Sequence, residues 1–448
     1  PRLATVPPMP CNPQVVMQRL LVLLVLVAQA AAFSSPSVLL QRTSSASFTP
    51  LSSSARLPVR RHVVNSYNGR SQSRLVPSIR QASTFSSALR MAALPANTPL
   101  KVGICGATGA VGKEIVGVLE TRGFPVKELH LFGSERSSGK VVETKWGKVE
   151  IEAFSVQKAR EMDVVFISVS GDFSKEYAKA IAEGDDGAVV IDNSSAFRYD
   201  KDVALCVPEI NADAARKNPN KVIANPNCTT AIGIMALFPL HKRFGLKKVI
   251  MSTYQAASGA GQEGMDELRD GAKEVVNSAE GTIAKNKIFA HPLPFNLIPH
   301  IDVFQDNLYT KEEMKVTWEC RKIMDIPSLP VSCTAVRIPT FRAHAESIVV
   351  ETEKPIKVDE ARDLLAKSPG NDEEGGERGE GKEATSRRVT ERTGIALADE
   401  PANKKYPMPL TASKKYPVEV TSVMIAAKRD VGVGWTHQAE HCLRRSRS

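Results

Sequence analysis

The sequence predicts an α/β protein with a doubly wound parallel sheet followed by a second α/β domain. A strand-like run over 100–105 passes through a glycine-rich turn into a helical run over 113–120. Short apolar runs and helical runs then alternate as far as residue 192, which is typical of a parallel sheet covered by helices on both faces. Past residue 96 about 350 residues remain, enough for two domains with substantial cores.

The N-terminal segment differs from the rest of the chain in charge. Residues 1–100 contain ten Arg but no Lys, Asp or Glu. The whole chain has 59 basic and 49 acidic residues, so removing those ten Arg leaves 49 basic against 49 acidic residues. The net charge of +10 therefore belongs to the N-terminal segment, and the balanced remainder predicts no nucleic-acid partner.

Residues 1–96 are predicted to be a targeting presequence and not part of a folded domain. Met17-Gln18-Arg19 precedes a nine-residue apolar run and then small residues, the pattern of a secretory signal. That run is too short to span a bilayer, so no stable membrane association is expected after processing. The segment that follows is rich in Ser and Arg, as in an organellar transit peptide.

This succession resembles the bipartite presequences of algae with secondary plastids, and it predicts location in the plastid stroma. The alternative is a disordered tail or translated upstream sequence, with Met17 as the true start. The seven Cys residues are odd in number and form no CxxC pair or Cys/His cluster. They therefore predict free thiols in a reducing compartment and no metal site.

The glycine-rich turn predicts a dinucleotide-binding site of the Rossmann type. Glycines between a strand and a helix allow a tight turn and a close approach to a pyrophosphate, which lies at the helix N-terminus. The candidate contacts are Gly106, Thr108, Gly109, Ala110, Val111 and Gly112. The alternative is an ordinary tight turn between a strand and a helix.

The next strand, over 128–132, indicates which cofactor is bound. A free ribose 2′-hydroxyl is usually recognised by Asp or Glu at the end of this strand. The chain instead has Ser134, Arg136 and Ser137 there, groups that suit a 2′-phosphate. NADP is therefore the predicted cofactor; the alternative is a solvated basic loop.

Cys228 is the predicted nucleophile. It lies in the run Asn225-Pro226-Asn227-Cys228-Thr229-Thr230, between a strand-like segment and an amphipathic helical stretch. The free N–H groups of a helix start favour a thiolate, and they can also receive the oxyanion formed when a thiolate attacks a carbonyl. The alternative is a buried core cysteine.

Arg198 is a candidate anion-binding residue. It ends the run Asn193-Ser194-Ser195-Ala196-Phe197-Arg198, which follows the apolar strand over 188–192. Turns at the carboxyl ends of parallel strands form the ligand crevice of such folds. A surface arginine is the alternative.

Together these motifs resemble the aspartate-semialdehyde dehydrogenase family over about 100–369 and again over 395–420. The motifs are GATGAVG, SERSSGK, DNSSAFR, PNCTT, YQAASGAG and RIPTFRAHAES, in that order. The resemblance implies a Rossmann NADP-binding domain joined to an α/β catalytic and dimerisation domain. It also implies NADPH-dependent reduction of L-aspartyl 4-phosphate to L-aspartate 4-semialdehyde, in the biosynthesis of lysine, threonine, methionine and isoleucine.

The same resemblance implies roles for particular residues. Cys228 would form a thioester, His344 would be the acid/base, and Gln255 would orient the acyl intermediate. Arg337 would bind the substrate α-carboxylate, Arg198 and Lys315 the phosphate, and Glu312 the substrate ammonium. Ser258 and Gly259 would contact the cofactor. The family also implies a homodimer or a dimer of dimers, with a small-molecule substrate.

The predicted domains are a cofactor domain over 97–227 and a catalytic domain over 228–420. The low-complexity charged stretch 371–394 is predicted to be a disordered surface insertion. In the family, the C-terminal part returns to the cofactor domain with an Asn-x-x-Lys-Gly-Ala-Ala helix near the nicotinamide. Residues 421–448 lack that motif, so the tail is predicted to be atypical.

Two alternative functions stay open on the sequence. N-acetyl-glutamyl-phosphate reductase shares the architecture and the thioester chemistry, but its Gly-Cys-Tyr/Phe-Pro-Thr nucleophile region does not match PNCTT. A non-catalytic NADP-binding paralogue is suggested by the altered C-terminus. The joint presence of Cys228, Gln255, Arg337 and His344 argues against it.

Overall fold

The computed structural model describes residues 98–218, 220–368, 395–397, 407–413, 418–420, 423–425 and 431–434. The predicted presequence 1–96 and the predicted insertion 371–394 lie outside the described residues, so both stay predictions. The domain of the predicted cofactor site is built on a single large sheet. Its strands are β1 (Leu100–Cys105), β2 (Val126–Gly133), β3 (Val141–Thr144), β4 (Gly147–Ala153), β5 (Val164–Ile167), β6 (Val189–Asp192), β7 (Ala204–Leu205) and β8 (Val222–Ala224).

The order of these strands in the sheet is β3-β4-β2-β1-β5-β6-β8-β7. Only β3 and β4 pair antiparallel; every other pair is parallel. The chain thus builds outward from β1 first in one direction and then in the other. This is the predicted doubly wound topology, whose switch point lies between β1 and β5.

Helices cover both faces of this sheet. They are α1 (Ala110–Thr121), α2 (Val156–Arg160), α3 (Gly171–Ala182) and α4 (Pro208–Arg216). Along β5, Val164 and Phe166 belong to one buried cluster, with Ile115 of α1, whereas Val165 and Ile167 belong to the other, with Ile181 of α3. Because successive side chains of a strand point to opposite faces, both faces are buried.

The second domain begins at the predicted nucleophile. Its main elements are α5 (Cys228–Phe244), β9 (Leu246–Gln255), a 3₁₀ turn (Ala257–Ala260), α6 (Gly261–Val276), α7 (Lys311–Met324), β10 (Val331–Arg337), β11 (Ala345–Thr352) and α8 (Val358–Ala366). Shorter pieces follow: β12 (Ile395–Leu397), α9 (Pro409–Ala412), β13 (Val418–Val420), β14 (Val423–Ile425) and β15 (Val431–Gly434).

The sheet of this domain has the order β10-β9-β11-β15-β14, and β12 pairs with β13 separately. The family pattern places the tail on the cofactor domain, but residues 421–448 were predicted to be atypical. The described part of the tail instead extends the catalytic sheet, because Val431–Gly434 pairs antiparallel with β11 and Val423–Ile425 pairs with β15. The runs Val-Met-Ile and Val-Gly-Val-Gly are too short for a helix and contain β-branched residues, which suits added strands. The sheet therefore continues beyond residue 420, the predicted domain boundary.

One face of the second sheet is exposed and carries large apolar side chains. On β9, Val249 and Met251 are buried against the helices, whereas Ile250 and Tyr254 on the opposite face are exposed. An exposed β-sheet face of this kind is suited to association with another protein surface. In the described residues we find no helix with the length and apolar content needed to cross a bilayer.

Glu346 on β11 is a half-buried residue whose two carboxyl oxygens are inaccessible to solvent. Neither carboxyl oxygen has a hydrogen-bond partner within the described residues. Burial raises the pKa of Glu346 well above its ordinary value of 4.5. The folded protein therefore holds a proton that the unfolded chain releases as the pH rises above 4.5. Part of the free energy of unfolding is thus lost toward alkaline pH.

We expect Glu346→Gln to remove that loss. The variant should match the unaltered protein at pH 5 and exceed it in stability at pH 8 by about 1–2 kcal/mol. Urea unfolding at both pH values measures this. Glu351→Gln, on the same strand but at the surface beside Lys247 and Lys248, is the control and should show no such pH dependence. A Glu346→Gln variant destabilised equally at both pH values would contradict the assignment of a buried, protonated acid.

Candidate active site

The glycine-rich turn at the end of β1 has the shape predicted for a dinucleotide site. Gly106 has φ +85°, which favours glycine, and its backbone packs tightly against the first turn of α1. A Cβ on Gly112 would lie 2.3 Å from the Gly106 carbonyl oxygen, so only glycine fits there. Thr108 and Gly109 are exposed and Ala110 is half-buried, whereas Val111 packs into the core. The turn thus exposes a helix N-terminus, the feature that binds a pyrophosphate.

The predicted 2′-phosphate contacts lie at the end of β2. Ser134 and Arg136 are exposed, and Ser137 is buried in a 3₁₀ turn that spans Glu135–Ser137. The strand is the neighbour of β1 in the sheet, so its end lies beside the glycine turn. A positive side chain and a hydroxyl therefore stand where the adenosine ribose of a Rossmann ligand lies.

Cys228 is the first residue of α5, as predicted. Asn227 is the N-cap, and its side-chain oxygen accepts a hydrogen bond from the Thr230 N–H. The helix follows β8 directly, so the thiol lies at the carboxyl edge of the first sheet. Cys228 is buried.

The protonation state of Cys228 differs from the one that its place in the sequence predicts. The helix start was expected to favour the thiolate, but burial, and then the negative charge of Glu312, raise the pKa of Cys228 to about 12. The charge of Arg198 and the hydrogen bonds from Thr229 act in the opposite direction and do not outweigh burial. Loss of hydration costs an ionised sulfur more than the helix start contributes. The proton of Cys228 must therefore be removed as part of any reaction.

Glu312 lies at the centre of a hydrogen-bond network beside the nucleophile. Its Oε1 accepts bonds from Gln255 Nε2 and Asn227 Nδ2, each at 2.9 Å, and its Oε2 accepts from Lys315 Nζ at 3.0 Å. Burial alone would raise the pKa of Glu312, but Lys315 and these hydrogen bonds lower it far below its ordinary value. Glu312 is therefore a buried carboxylate.

The side chains of Gln255 and Lys315 extend this network. The Gln255 amide also donates to Thr229 Oγ1, next to the nucleophile, while its own Oε1 is buried without a partner among the described residues. Lys315 Nζ also donates to Asp302 Oδ2 at 2.8 Å. Burial opposes the charge of Lys315, but Glu312 and Asp302 together raise its pKa. Both cation and amide thus contact internal groups and retain capacity for a ligand.

His344 is buried, and its hydrogen bonding defines its tautomer. The Ala256 N–H donates to His344 Nδ1 at 3.0 Å, so the proton of the neutral ring is on Nε2. Burial and the nearby charge of Arg337 lower the pKa of His344 to about 4. Nε2 is buried without a hydrogen-bond partner in the described part of the chain. His344 is thus a neutral ring that can donate one proton from Nε2.

Two arginines flank this network. Arg337, at the end of β10, is buried, donates to the Ala256 carbonyl at 2.6 Å and stacks on Phe289. Burial lowers its pKa, and no described carboxylate forms an ion pair with it. Such a guanidinium can bind a carboxylate in a bidentate manner. This geometry suits the predicted clamp on the α-carboxylate.

Arg198 is buried and largely occupied. Its Nη1 donates to Glu319 Oε1 at 3.1 Å, its Nε to the Ser194 carbonyl and its Nη2 to the Asn193 carbonyl. Three of the five N–H groups are used in this way, so two remain for a ligand. The predicted phosphate contact therefore has to be made by a side chain that is already held in place.

Ser258 and Gly259 lie in the 3₁₀ turn after β9. The Ser258 N–H donates to the Phe341 carbonyl at 3.0 Å, and the Ser258 hydroxyl is buried without a partner in the described ranges. Nearby, Arg342 Nη1 donates to Glu114 of α1 at 2.6 Å. The turn thus lies where the catalytic domain meets the helix of the dinucleotide turn.

The structure therefore joins the seven predicted catalytic and substrate residues through shared partners. Gln255 and Glu312 contact the turn of Cys228, and Lys315 contacts Glu312. Both His344 and Arg337 contact Ala256, the residue after Gln255, and Arg198 reaches Asn227 through Glu319. The sequence reasoning missed Asn227 and Glu319. The spacing of charged residues along α7 (312, 315, 319 and 322) was the available signal for Glu319. In the residues that the structure describes, no cluster of His, Cys, Asp and Glu could hold a metal ion.

Comparison with known proteins agrees with both halves of this architecture. Residues 101–218 match the family model of the semialdehyde dehydrogenase NAD binding domain, and residues 237–435 match that of the semialdehyde dehydrogenase dimerisation domain. Fold and site together define a two-domain semialdehyde dehydrogenase.

Curated relatives give the family within that class. An aspartate-semialdehyde dehydrogenase of Aquifex aeolicus is 42% identical over 314 residues, which cover 70% of this chain and 84% of that protein. The Synechocystis enzyme of the same name is 42% identical over 273 residues, covering 61% of this chain and 79% of that protein. The chain belongs to the aspartate-semialdehyde dehydrogenase family.

A solved structure supports the same assignment. Aspartate semialdehyde dehydrogenase II of Vibrio cholerae, complexed with ASA, superposes with a TM-score of 0.65 at 36% sequence identity. The match covers 75% of this chain and 91% of that one. The predicted fold class, the predicted enzyme class and the dinucleotide-binding domain are thus confirmed.

Proposed function

We propose that this protein catalyses the NADPH-dependent reductive dephosphorylation of L-aspartyl 4-phosphate to L-aspartate 4-semialdehyde. The observation that carries the proposal is the network around Cys228. A helix-initial thiol lies beside a buried carboxylate, Glu312, and the same residues connect to a neutral His344 and a buried Arg337. This set supplies a nucleophile, a proton donor and binding groups for an amino acid that carries charge at both ends.

The residues divide the chemistry among them. The Cys228 sulfur forms a bond to the acyl carbon, and the phosphate leaves with the electron pair of its C–O bond. The pKa of about 12 makes the thiol the stable form, so the Cys228 proton must also leave in this step. The departing phosphate takes up that proton on the oxygen that is released from the acyl carbon. The free N–H groups of α5 bind the acyl oxygen, and His344 donates from Nε2 to an oxygen that gains charge. Gln255, whose N–H groups contact Thr229 and Glu312, orients the acyl intermediate through its free Oε1.

The substrate is held by opposite charges. Arg337 binds the α-carboxylate, Glu312 receives the α-ammonium, and Arg198 with Lys315 binds the phosphate. Aldehyde release breaks the bond between carbon and the Cys228 sulfur, and the sulfur regains its proton. These roles rest on the resemblance and on the contacts described above.

NADP fits the cofactor site on two observations. The tight packing of Gly112 on Gly106 excludes side chains where a pyrophosphate approaches, and Arg136 stands exposed at the end of β2. Residues 106–112 would hold the pyrophosphate, Ser134, Arg136 and Ser137 the 2′-phosphate, and Ser258 and Gly259 the nicotinamide side. When bound, NADPH supplies the hydride for the acyl group.

The experiment that tests the function is a substrate comparison with the purified protein. We expect phosphate-dependent reduction of NADP⁺ with aspartate semialdehyde and none with N-acetyl-glutamate semialdehyde. The N-acetyl-glutamyl-phosphate reductase alternative is not favoured, because the relatives named above are aspartate-semialdehyde dehydrogenases. Activity with neither substrate, together with NADP binding, would support a non-catalytic paralogue.

Arg136→Ala tests the choice of cofactor. Since the guanidinium is predicted to contact the 2′-phosphate, the variant should bind NADPH more weakly by about 1.5–3 kcal/mol while its affinity for NADH hardly changes. Titration calorimetry with both cofactors measures this. Lys148→Ala, a side chain exposed on β4, is the control and should leave both affinities unchanged. An equal loss for both cofactors would mean that Arg136 supports the fold and does not recognise the phosphate.

The protein is proposed to act as a homodimer, or as a dimer of dimers. The match to a dimerisation domain and the exposed apolar side chains of Ile250 and Tyr254 support association through the catalytic domain. Sedimentation of the purified protein distinguishes dimer from tetramer.

We also propose import into a plastid stroma, on the composition of residues 1–96 alone. The signal-like run after Met17 and the acid-free Ser/Arg-rich stretch support it. A fluorescent protein fused behind residues 1–96 should enter the plastid of an alga with a secondary plastid. Retention in the cytosol would refute the proposal.

A further inference from the structure

Helix α7 carries a stripe of four charged residues on its inner face. Glu312, Lys315, Glu319 and Lys322 follow one another at spacings of three, four and three, which places them on one side of a helix. Glu312, Lys315 and Glu319 are buried, and Lys322 is half-buried. Charged residues are seldom buried without partners, so the stripe must meet specific groups. The first two have predicted roles with the substrate; Glu319 has none.

Glu319 contacts both sides of the predicted phosphate site. Its Oε2 accepts a hydrogen bond from the Asn227 N–H at 2.6 Å, one residue before the nucleophile. Its Oε1 accepts from Arg198 Nη1 at 3.1 Å and from the Tyr199 hydroxyl at 3.4 Å. One fully buried carboxylate thus joins the turn that carries Cys228 to the guanidinium that is predicted to bind the phosphate.

Lys322 holds the same segment by a different means. Its Nζ donates to the carbonyl oxygens of Arg198, Asp200 and Val203 at 2.9, 2.6 and 3.0 Å. It contacts neither the guanidinium of Arg198 nor the Asn227 amide. Lys322 therefore fixes the backbone of the segment, whereas Glu319 fixes the direction of the Arg198 side chain.

The chemistry of a carboxylate is needed at position 319. Both of its oxygens accept hydrogen bonds, one from each side of the site. A glutamine of the same size has only one acceptor oxygen, so its NH2 group would face either the Asn227 N–H or the Arg198 guanidinium, donor against donor. An aspartate keeps the charge but is one methylene shorter and cannot reach both partners.

We propose that Glu319 is a positioning residue that aligns Arg198 with the turn of Cys228, so that phosphate is bound beside the reacting sulfur. The proposal rests on the function proposed above. Its residues belong to different parts of the chain, namely the segment after β6, the start of α5 and the third turn of α7. Attack of the sulfur on the acyl carbon with loss of phosphate requires that the nucleophile and the phosphate site keep a fixed relative position.

The test uses the full chain and measures oxidation of aspartate semialdehyde with phosphate and NADP⁺. Glu319→Gln should raise the KM for phosphate about 10-fold or more and lower kcat, the scale for losing a charge-assisted hydrogen bond. The dissociation constant of NADP⁺ should stay within about twofold. Lys322→Met, the matched control, should lower Tm and leave the KM for phosphate within about twofold.

A double-mutant cycle with Arg198→Met distinguishes positioning from general destabilisation. If Glu319 acts through Arg198, Glu319→Gln should add little to the KM for phosphate in the Arg198→Met background. Effects that multiply, or an unchanged KM for phosphate in Glu319→Gln, would overturn the proposal. A wild-type chain without activity would refute the proposed function instead, so the two failures are distinguishable.

A second variant covers the case in which Glu319→Gln does not fold. Glu319→Asp keeps the negative charge in the buried position, and melting together with NADPH binding verifies its fold. It should lower kcat or raise the KM for phosphate by about 5-fold or more, because it cannot hold both partners. A Glu319→Asp enzyme equal to the wild type in both parameters would overturn the proposal.

Discussion

Replacing Cys228 by serine should reduce phosphate-dependent oxidation of aspartate semialdehyde by about 10³-fold or more, the scale for loss of a covalent nucleophile. An alcohol at neutral pH is a far weaker nucleophile than a thiolate, and the network around position 228 contains no second group that could form the thioester. NADPH binding should hardly change, because the glycine turn and the end of β2 do not contact Cys228. Steady-state kinetics and a separate NADPH titration measure the two effects.

Cys206→Ser is the matched control for this experiment. Cys206 is also a buried free thiol, but it lies in the cofactor domain, where its sulfur contacts the Asn211 carbonyl. Its serine variant should keep most of the activity. Retention of most activity in Cys228→Ser, or an equal loss in both variants, would show that the reaction does not depend on this sulfur as nucleophile.

The second large effect is expected for His344→Gln, which should lower kcat by about 10²–10⁴-fold. Glutamine can still accept the hydrogen bond from the Ala256 N–H, but its amide is a poor acid. The variant therefore keeps the structural hydrogen bond of His344 and removes its proton donor. NADPH binding should be unchanged. His291→Gln, at an exposed site, is the control and should behave as the wild type.

The pH dependence offers an independent check on His344. Since burial and Arg337 lower its pKa to about 4, the ring should stay neutral at pH 5 and above. When the pH falls below 4, protonation of His344 would place a proton on Nδ1. That proton would face the Ala256 N–H and break their hydrogen bond. Activity should therefore show no loss from His344 between pH 7 and 5. A decline centred at 6.5, the ordinary value for histidine, would contradict the buried neutral ring.

Much of the fold follows from short-range patterns in the sequence. The alternation of apolar and helical runs through residue 192 and the glycine turn after β1 predict the doubly wound sheet, because each signal is local. The tail shows the limit of such reasoning. Whether Val431–Gly434 pairs with β11 depends on a strand some eighty residues earlier, and no local pattern reports that partner.

The sequence predicted which residues form the site better than it predicted their protonation states and hydrogen bonds. Cys228, Gln255 and His344 stand out by motif, but the state of each depends on how deeply the fold buries it. The helix start at Asn227 argued for a thiolate, whereas burial leaves a thiol. Arg198 was predicted as an anion-binding residue of the crevice, but the motif did not predict that three of its N–H groups bind internal acceptors. Burial is a property of the whole chain, so the pattern of one segment does not predict it.

The high pKa of the Cys228 thiol has a consequence for oxidation chemistry. Peroxides attack the thiolate and not the thiol, so a sulfur that keeps its proton is a slow target for conversion to sulfenic acid and then to the irreversible higher acids. In an oxygen-producing compartment, such as the one proposed here, exposed low-pKa cysteines are the ones lost first. The burial that makes Cys228 hard to ionise therefore also protects it from oxidation. Both catalysis and oxidative damage require removal of the same proton.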